Sequence, residues 1–520
     1  MNKYNEYLDY YKNNNKKILK KIEQIDEKKF NEKLPHLNNS FIGEKGISCA
    51  KFNDATIKLF AQSFCDTLAN KKAKILLAHD GSNNEFISYL KNINYVFKAN
   101  KISSYLFFKN APVSYSFLKY STSKIKEFDF IIYLSQYSFN NFISLSIYNK
   151  NCDSINNETI EKISNNMINS SLYNVKEFLD EPLYLNLEKL LNEYTSEIIE
   201  FNHTKSDNKI IRLGIIDNNL NKLFIKKIMG KNDFGYKNLK FTLTEDCPMK
   251  IRIKLYQLHK LKNINYLIKF SYDFKKIYVY ARRNSFEYSL IDINSLAANY
   301  ILFVNNVAKT NEKSIKIDKI LCSIANNIEL FERIAKKYDL KFSIDLNNQL
   351  IEKKSLKINE NFEMNFGFLD GRNSDAFLSL SVIADMLNYY ETQHFKFKEI
   401  EIQNLTQIED SIVSMFSIPC HFDNIESFET KLFSQTFINQ IEIKELQDIR
   451  NYATNEKERY IAKITFTNET ESLFVKYSYE LQAIIFICKE KRKPGNIYLK
   501  FKKYFVKFLA NYSNPLIPNI

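Results

Sequence analysis

Short apolar runs alternate with stretches of helical period along the first third of the chain. Apolar residues Ile57, Phe60, Phe64 and Leu68 recur at helical spacing, predicting a helix over 54–70 with Asp54 as its N-cap. The run at 74–78 predicts a strand. A polar turn through Asp80-Gly81-Ser82-Asn83-Asn84 follows, then a helix, then further strands ending near Leu134 in Phe130-Ile131-Ile132-Tyr133-Leu134. Such alternation implies a largely parallel sheet, with ligand sites at the carboxyl ends of its strands.

Residues 1–40 are polar and lysine-rich, but Ile18, Leu19, Ile22 and Ile25 have helical spacing, which predicts a helical arm lying on the first domain. The polar stretch 202–208 reads as a linker. A second α/β unit begins at 210–216 and holds strands at 266–270 and 277–280; a third contains helices at 326–338 and 376–390. The tail differs in character. Three β-rich runs, 460–467, 472–479 and 482–488, lead through Pro494-Gly495 into an amphipathic helix bearing Tyr498, Phe501, Phe505 and Phe508, which predicts a separate α+β domain. The expected organisation is an arm at 1–40, α/β domains at 41–205, 206–306 and 307–405, and an α+β domain at 406–520.

A chain of 520 residues, 45% hydrophobic and 26% charged, has enough apolar surface for several cores. Its nine glycines are about a quarter of ordinary usage, and loops that cradle phosphate on backbone amides suffer first from that shortage. Abundant Asn, Lys, Ile, Phe and Tyr without Trp suit an AT-rich genome. The net charge of +14 arises from 74 basic and 60 acidic residues that are interspersed, so Lys16-Lys17, Lys20-Lys21 and 489–493 read as solvated faces, with no nucleic-acid motif beside them. Seven scattered cysteines without a Cys-x-x-Cys pair point to a reducing cytoplasm. Cys420-His421 has no partners at zinc spacing and reads as a buried thiol beside a surface histidine. The start lacks an apolar leader core, and no segment reaches the length of a membrane span.

This four-part order resembles the α-D-phosphohexomutase superfamily, in particular its bacterial phosphoglucomutase and phosphomannomutase branch with a helical N-terminal arm. The stretches that carry the likeness are 41–68, 73–138 with Ala111-Pro112-Val113, and Phe366-Gly367-Phe368 leading to Asp375-Ala376 and Asn388-Tyr389-Tyr390. The resemblance implies three successive α/β domains plus a C-terminal α+β domain around a central cleft. It also implies phosphoryl transfer between the C1 and C6 oxygens of a hexose through a phosphoserine and Mg²⁺, by positioning and charge neutralisation.

The loops depart from the family pattern one by one. Ser135 falls on the phosphoserine, but the family's His-Asn-Pro is Gln136-Tyr137-Ser138 here, and glutamine cannot act as an acid or base near neutral pH. Two family arginines fall on Ser48 and Ser82. The three metal-binding aspartates fall on Ser271, Asp273 and Lys275, so one carboxylate survives, and an extended backbone would aim the Lys275 ammonium at the ion's place, there to pair with Asp273 or to stand exposed. The sugar-reading loop is shortened to Leu369-Asp370-Gly371, leaving Asp370 to meet a sugar hydroxyl. The phosphate-gripping loop falls on 476–483, where Lys476 and Ser478 retain anion-binding character and Glu480 opposes it.

The expectation is therefore a catalytically degenerate relative, a cytoplasmic binding or assembly subunit with protein partners, no resident cofactor, and at most weak hexose phosphate binding. The competing expectation is a divergent active mutase using Ser135, with Mg²⁺ held by Asp273. Tyr- and Phe-rich composition suits partner contacts.

Overall fold

The computed structural model describes residues 3–14, 16–37, 39–68, 72–137, 142–204, 210–216, 222–241, 243, 248–271, 274–310, 316–345, 352–359, 362–367, 375–394, 411–420, 424–451, 458–467, 472–479, 483–491 and 497–510. The chain forms two compact units, one built mainly of Met1–Ser196, the other mainly of Lys226–Ser271 and Lys275–Ile520.

In the first unit a seven-stranded sheet runs in the order His36–Leu37, Ser40–Glu44, Phe142–Asn149, Phe130–Tyr137, Lys74–His79, Ser103–Phe107, Leu183–Leu185. The expectation of a largely parallel sheet is corrected to a mixed one. The last four strands in that order pair in parallel, whereas the serine-bearing strand Phe130–Tyr137 turns back antiparallel into Phe142–Asn149. The period-two pattern Ile143-Ser144-Leu145-Ser146-Ile147 was the available signal for that extra strand.

The predicted first helix is present as Asp54–Thr67, but its cap is corrected from Asp54 to Asn53, whose side chain accepts from the Thr56 N–H. This helix, with Phe86–Ala99 and Asn157–Asn169, buries its apolar face against one side of the sheet. The N-terminal residues form helices Lys3–Asn14, Lys16–Ile22 and Glu27–Phe30, packed through Tyr7, Tyr11, Ile22 and Phe30 onto Ala55 and Leu59. Three aromatic positions, Tyr7, Tyr11 and Phe30, thus anchor the arm besides the aliphatic ones read from the sequence.

The second unit holds three sheets. The first has the order Lys250–Arg252, Glu287–Leu290, Ile277–Asn284, Tyr266–Phe270, Arg212–Ile216, Gly235–Leu239; the second has the order Lys341–Ile344, Lys319–Cys322, Ser355–Ile358, Met364–Phe366. The third is antiparallel throughout its described pairings and includes Glu458–Phe466, Ser472–Ser478 and Ala483–Lys491, close to the three predicted runs. Helices Ile425–Phe433 and Ile497–Leu509 cover one of its faces through Phe428, Leu432, Phe501 and Phe505. Phe474 and Ile485, on the opposite face, pack with Ala325.

The segment read as a linker is anchored in its described part. His203 is buried, and the His203 and Thr204 N–H groups donate to Asp385 of the helix Ala376–Thr392 at 2.7 and 3.0 Å. A polar stretch becomes structural here because one buried carboxylate satisfies consecutive backbone donors.

Candidate functional site

Ser135 lies within the strand Phe130–Tyr137, half-buried, opposite Ser144 of the neighbouring strand. On its other side the parallel ladder pairs His79 with Leu134, so the next residue, Asp80, comes beside Ser135. The Asp80 N–H donates to the Leu134 carbonyl at 3.0 Å. Its carboxylate is buried and accepts from the Ser82 N–H at 2.8 Å, the Ser82 hydroxyl at 2.6 Å and the Gln136 N–H at 2.9 Å. Gly81, at φ 79°, supplies the left-handed turn that folds Ser82 back onto this carboxylate. Burial pushes the Asp80 carboxyl up to about 6, and the three donors offset that only in part.

Ser82, predicted at a lost arginine position, is thus committed to Asp80. Ser48, at the other, is buried and its carbonyl accepts from Asn53 Nδ2 at 3.0 Å and from the Thr56 hydroxyl at 3.3 Å. Both serines complete local turns. Neighbouring His79 is buried, its Nε2 3.0 Å from the Asn110 carbonyl, and desolvation lowers its pKa, which favours the neutral ring.

At the predicted metal position Ser271 is buried, and its hydroxyl lies 3.2 Å from both the carbonyl oxygen and the nitrogen of Lys276, donating to one and accepting from the other. Lys275 is half-buried; the Lys276 ammonium lies 5.8 Å from the centre of the Tyr278 ring, with Lys269 at 5.6 Å from the same ring. Asp273, Asp370 and Glu480 lie outside the described residues, as does His421. Among the described residues no three His, Cys, Asp or Glu side chains are grouped as a metal site, and no helix is long and apolar enough to cross a membrane.

Lys476 and Ser478 share one strand and, two residues apart, one face of the third sheet. Both are buried, and the Lys476 ammonium sits 5.7 Å from the centre of the Tyr460 ring. Gly367, in the motif before the predicted sugar loop, has a packing reason of its own. A Cβ there would come within 2.0 Å of the Glu352 carbonyl oxygen and 3.0 Å of the Ser355 nitrogen. Gly367→Ala is accordingly expected to cost about 1–3 kcal/mol through overpacking, measured as a lowered urea midpoint against the parent chain.

No family model matches the chain, and no curated protein matches it in sequence. Solved structures do match it in fold. A protein from Thermus thermophilus assigned as a phosphomannomutase aligns with a TM-score of 0.57 at 10% identity, over 92% of this chain and 99% of that one. A phosphoglucomutase/phosphomannomutase family protein from Burkholderia thailandensis gives 0.54 at 10% identity, over 91% and 96%. The phosphoglucomutase-type phosphoprotein pp63/parafusin from Paramecium, in an open form, gives 0.54 at 12% identity, over 89% and 93%. The chain has the α-D-phosphohexomutase fold.

Within a phosphohexomutase fold, the donor set at 271–275, the segment read from the sequence as the metal loop, is the most informative departure. Mg²⁺ requires several hard oxygen ligands in octahedral array. Here one position is a buried hydroxyl already bonded to Lys276, another is the ammonium-bearing Lys275, and one carboxylate, Asp273, remains in the sequence. This set does not fit the ion. The sequence reading had Asp80 in a turn and in the segment 79–82 laid on a family motif, without a role of its own; the available signal was its place directly after a predicted strand, where α/β sheets put functional groups.

Proposed function

We propose that this phosphohexomutase-fold protein does not catalyse the mutase reaction and serves as a cytoplasmic binding or assembly subunit, with at most weak affinity for hexose phosphates. The observation that carries this reading is the metal position, where Ser271 is bonded to the Lys276 backbone and Lys275 brings positive charge. The family chemistry rests on electrostatic stabilisation of a transferring phosphoryl group, and loss of the ion and of the phosphate cradle each removes a few kcal/mol of it.

One observation favours the second reading, an active divergent mutase. Ser135 keeps its hydroxyl at the carboxyl end of the parallel strands, beside the buried carboxyl of Asp80. Incubation with glucose 1,6-bisphosphate and Mg²⁺ followed by intact mass measurement separates the two. The expected result is an unchanged mass; a stable gain of one phosphoryl group mapped to Ser135 would establish the active reading. Thermal-shift titration with hexose phosphates tests residual binding, for which a small upward shift at millimolar ligand is expected.

A further inference from the structure

The mixing of charge signs along the chain ends around its last described helix, Ile497–Leu509. Residues 491–520 hold seven basic and no acidic residues, which is half of the net charge of +14, so the segments flanking the helix bring no counter-charge to it. The helix is seated by its aromatic side. Phe501, Phe505 and Leu509 are buried, with the Phe501 ring 5.1 Å from that of Phe466 and the Phe505 ring 4.2 Å from that of Phe486 in the third sheet. This packing fixes which face the helix turns outward.

The outward face is both apolar and basic. Leu499 is 51% exposed and Val506 45%, and being seven residues apart they project the same way, two turns from each other. Lys503 lies between them, and Lys500 and Lys507 each follow one of the pair along the same flank; all three are exposed. None of these three ammonium groups has an ion-pair partner among the described residues. The helix itself contains no carboxylate, and the buried Glu429 of the neighbouring helix Ile425–Phe433 is taken by Arg450 and Arg459, each at 3.1 Å.

Uncompensated lysines set beside exposed aliphatic side chains on one helix face suit the boundary layer of a bilayer. There the aliphatic groups enter the acyl edge while the lysine stems bend back to anionic headgroups. With 13 residues the helix lies on such a surface and does not cross it. Nucleic acid fits the face less well. None of the exposed positions described on this helix is an Arg or an aromatic residue, the types that read bases or stack on them, and a phosphate backbone would leave Leu499 and Val506 in water. We propose that the helix Ile497–Leu509 docks flat on an anionic phospholipid bilayer, with Leu499 and Val506 inserted and Lys500, Lys503 and Lys507 against the headgroups. The contact is reversible, because two aliphatic side chains and a few lysines fall short of a stable anchor.

The test is co-sedimentation of the full chain with vesicles of phosphatidylcholine containing phosphatidylserine, and with vesicles of phosphatidylcholine alone. Binding is expected to the first and not to the second, weakened about tenfold near 0.5 M salt. The combined changes Lys500→Gln, Lys503→Gln and Lys507→Gln are expected to weaken it about a hundredfold, and Leu499→Ser with Val506→Ser about tenfold. Melting curves should not move, since all five positions are exposed. The chain has no tryptophan, so Leu499→Trp supplies a single reporter whose emission is expected to shift to the blue on phosphatidylserine vesicles. A wild-type chain that ignores those vesicles overturns the proposal, as does an unshifted emission. Either combined variant binding like wild type overturns it too, by placing the contact elsewhere or leaving the aliphatic pair in water. Retention on a homopolymeric RNA but not on vesicles would assign the face to nucleic acid and against a bilayer. No sugar phosphate enters the readout, so the result is separate from the fate of the Ser135 hydroxyl.

Discussion

Replacing Lys357 by methionine is expected to lower stability by about 3–5 kcal/mol, the largest effect of any single substitution considered. Lys357 lies in the strand Ser355–Ile358 and pairs with Asp345 at 2.5 Å, each side chain only 5% exposed. Removing the ammonium leaves a desolvated carboxylate without its main counter-charge, and the cost is the desolvation of that group more than the attraction of the pair. The double replacement Lys357→Met with Asp345→Leu is expected to recover most of the loss, because a packed apolar pair avoids two desolvations. Thermal unfolding gives the size, and hydrogen exchange over 319–322 and 355–358 gives the place. Equal stability of the single variant and wild type would mean that the pair is solvated in solution. Asp345 follows the strand Lys341–Ile344, at a carboxyl end of the parallel part of its sheet. The charge available at this end is thus turned inward onto a lysine of the same sheet.

Asp80→Asn is expected to remove a pH dependence of stability that the wild-type chain shows between about pH 4 and 6. Burial raises the folded carboxyl to about 6 against an ordinary value of 3.8. The folded chain therefore binds the proton more tightly than the unfolded chain, so this group's contribution is most favourable below about pH 4 and is lost as pH rises through 6. The difference of two units corresponds to about 3 kcal/mol. Other carboxylates titrate in the same range, so the informative quantity is wild type minus variant, from urea unfolding at a series of pH values. That difference should move in favour of the variant as pH rises. At any one pH the variant also loses an acceptor, since its amide group cannot accept from both Ser82 and Gln136; this offset is independent of pH. A difference flat across the series would show that Asp80 is not desolvated. Because the Asp80 carboxylate accepts the Gln136 N–H, the same titration bears on how the strand beyond Ser135 is held.

Much of the local structure was legible in residue pattern alone. The strand Tyr266–Phe270 is an uninterrupted apolar run but for Lys269, and the helix Ala376–Thr392 starts at Asp375, which accepts from the Phe377 and Leu378 N–H groups at 2.9 and 3.2 Å. Such features depend on neighbours a few residues away. Their period and capping chemistry are therefore written in the chain. The misses share a different cause. Asn53 outcompetes Asp54 as cap because its amide also donates to the carbonyls of Gly46, Ser48 and Lys51, bonds that a carboxylate cannot make.

At the candidate site, the sequence by itself determined which groups are present: a serine hydroxyl at 135, a serine and a lysine flanking a lone aspartate at 271–275, and too few glycines for several anion-cradling loops. Those are matters of composition and order, and no folding can restore a missing carboxylate. Tertiary structure alone decided what the remaining groups are used for. It placed Asp80 beside Ser135, bonded Ser271 to the backbone of Lys276, and buried Lys476 against the ring of Tyr460. Strand pairing and desolvation join residues far apart in the chain, and they set the charge state and availability of each group in ways that spacing along the sequence does not encode.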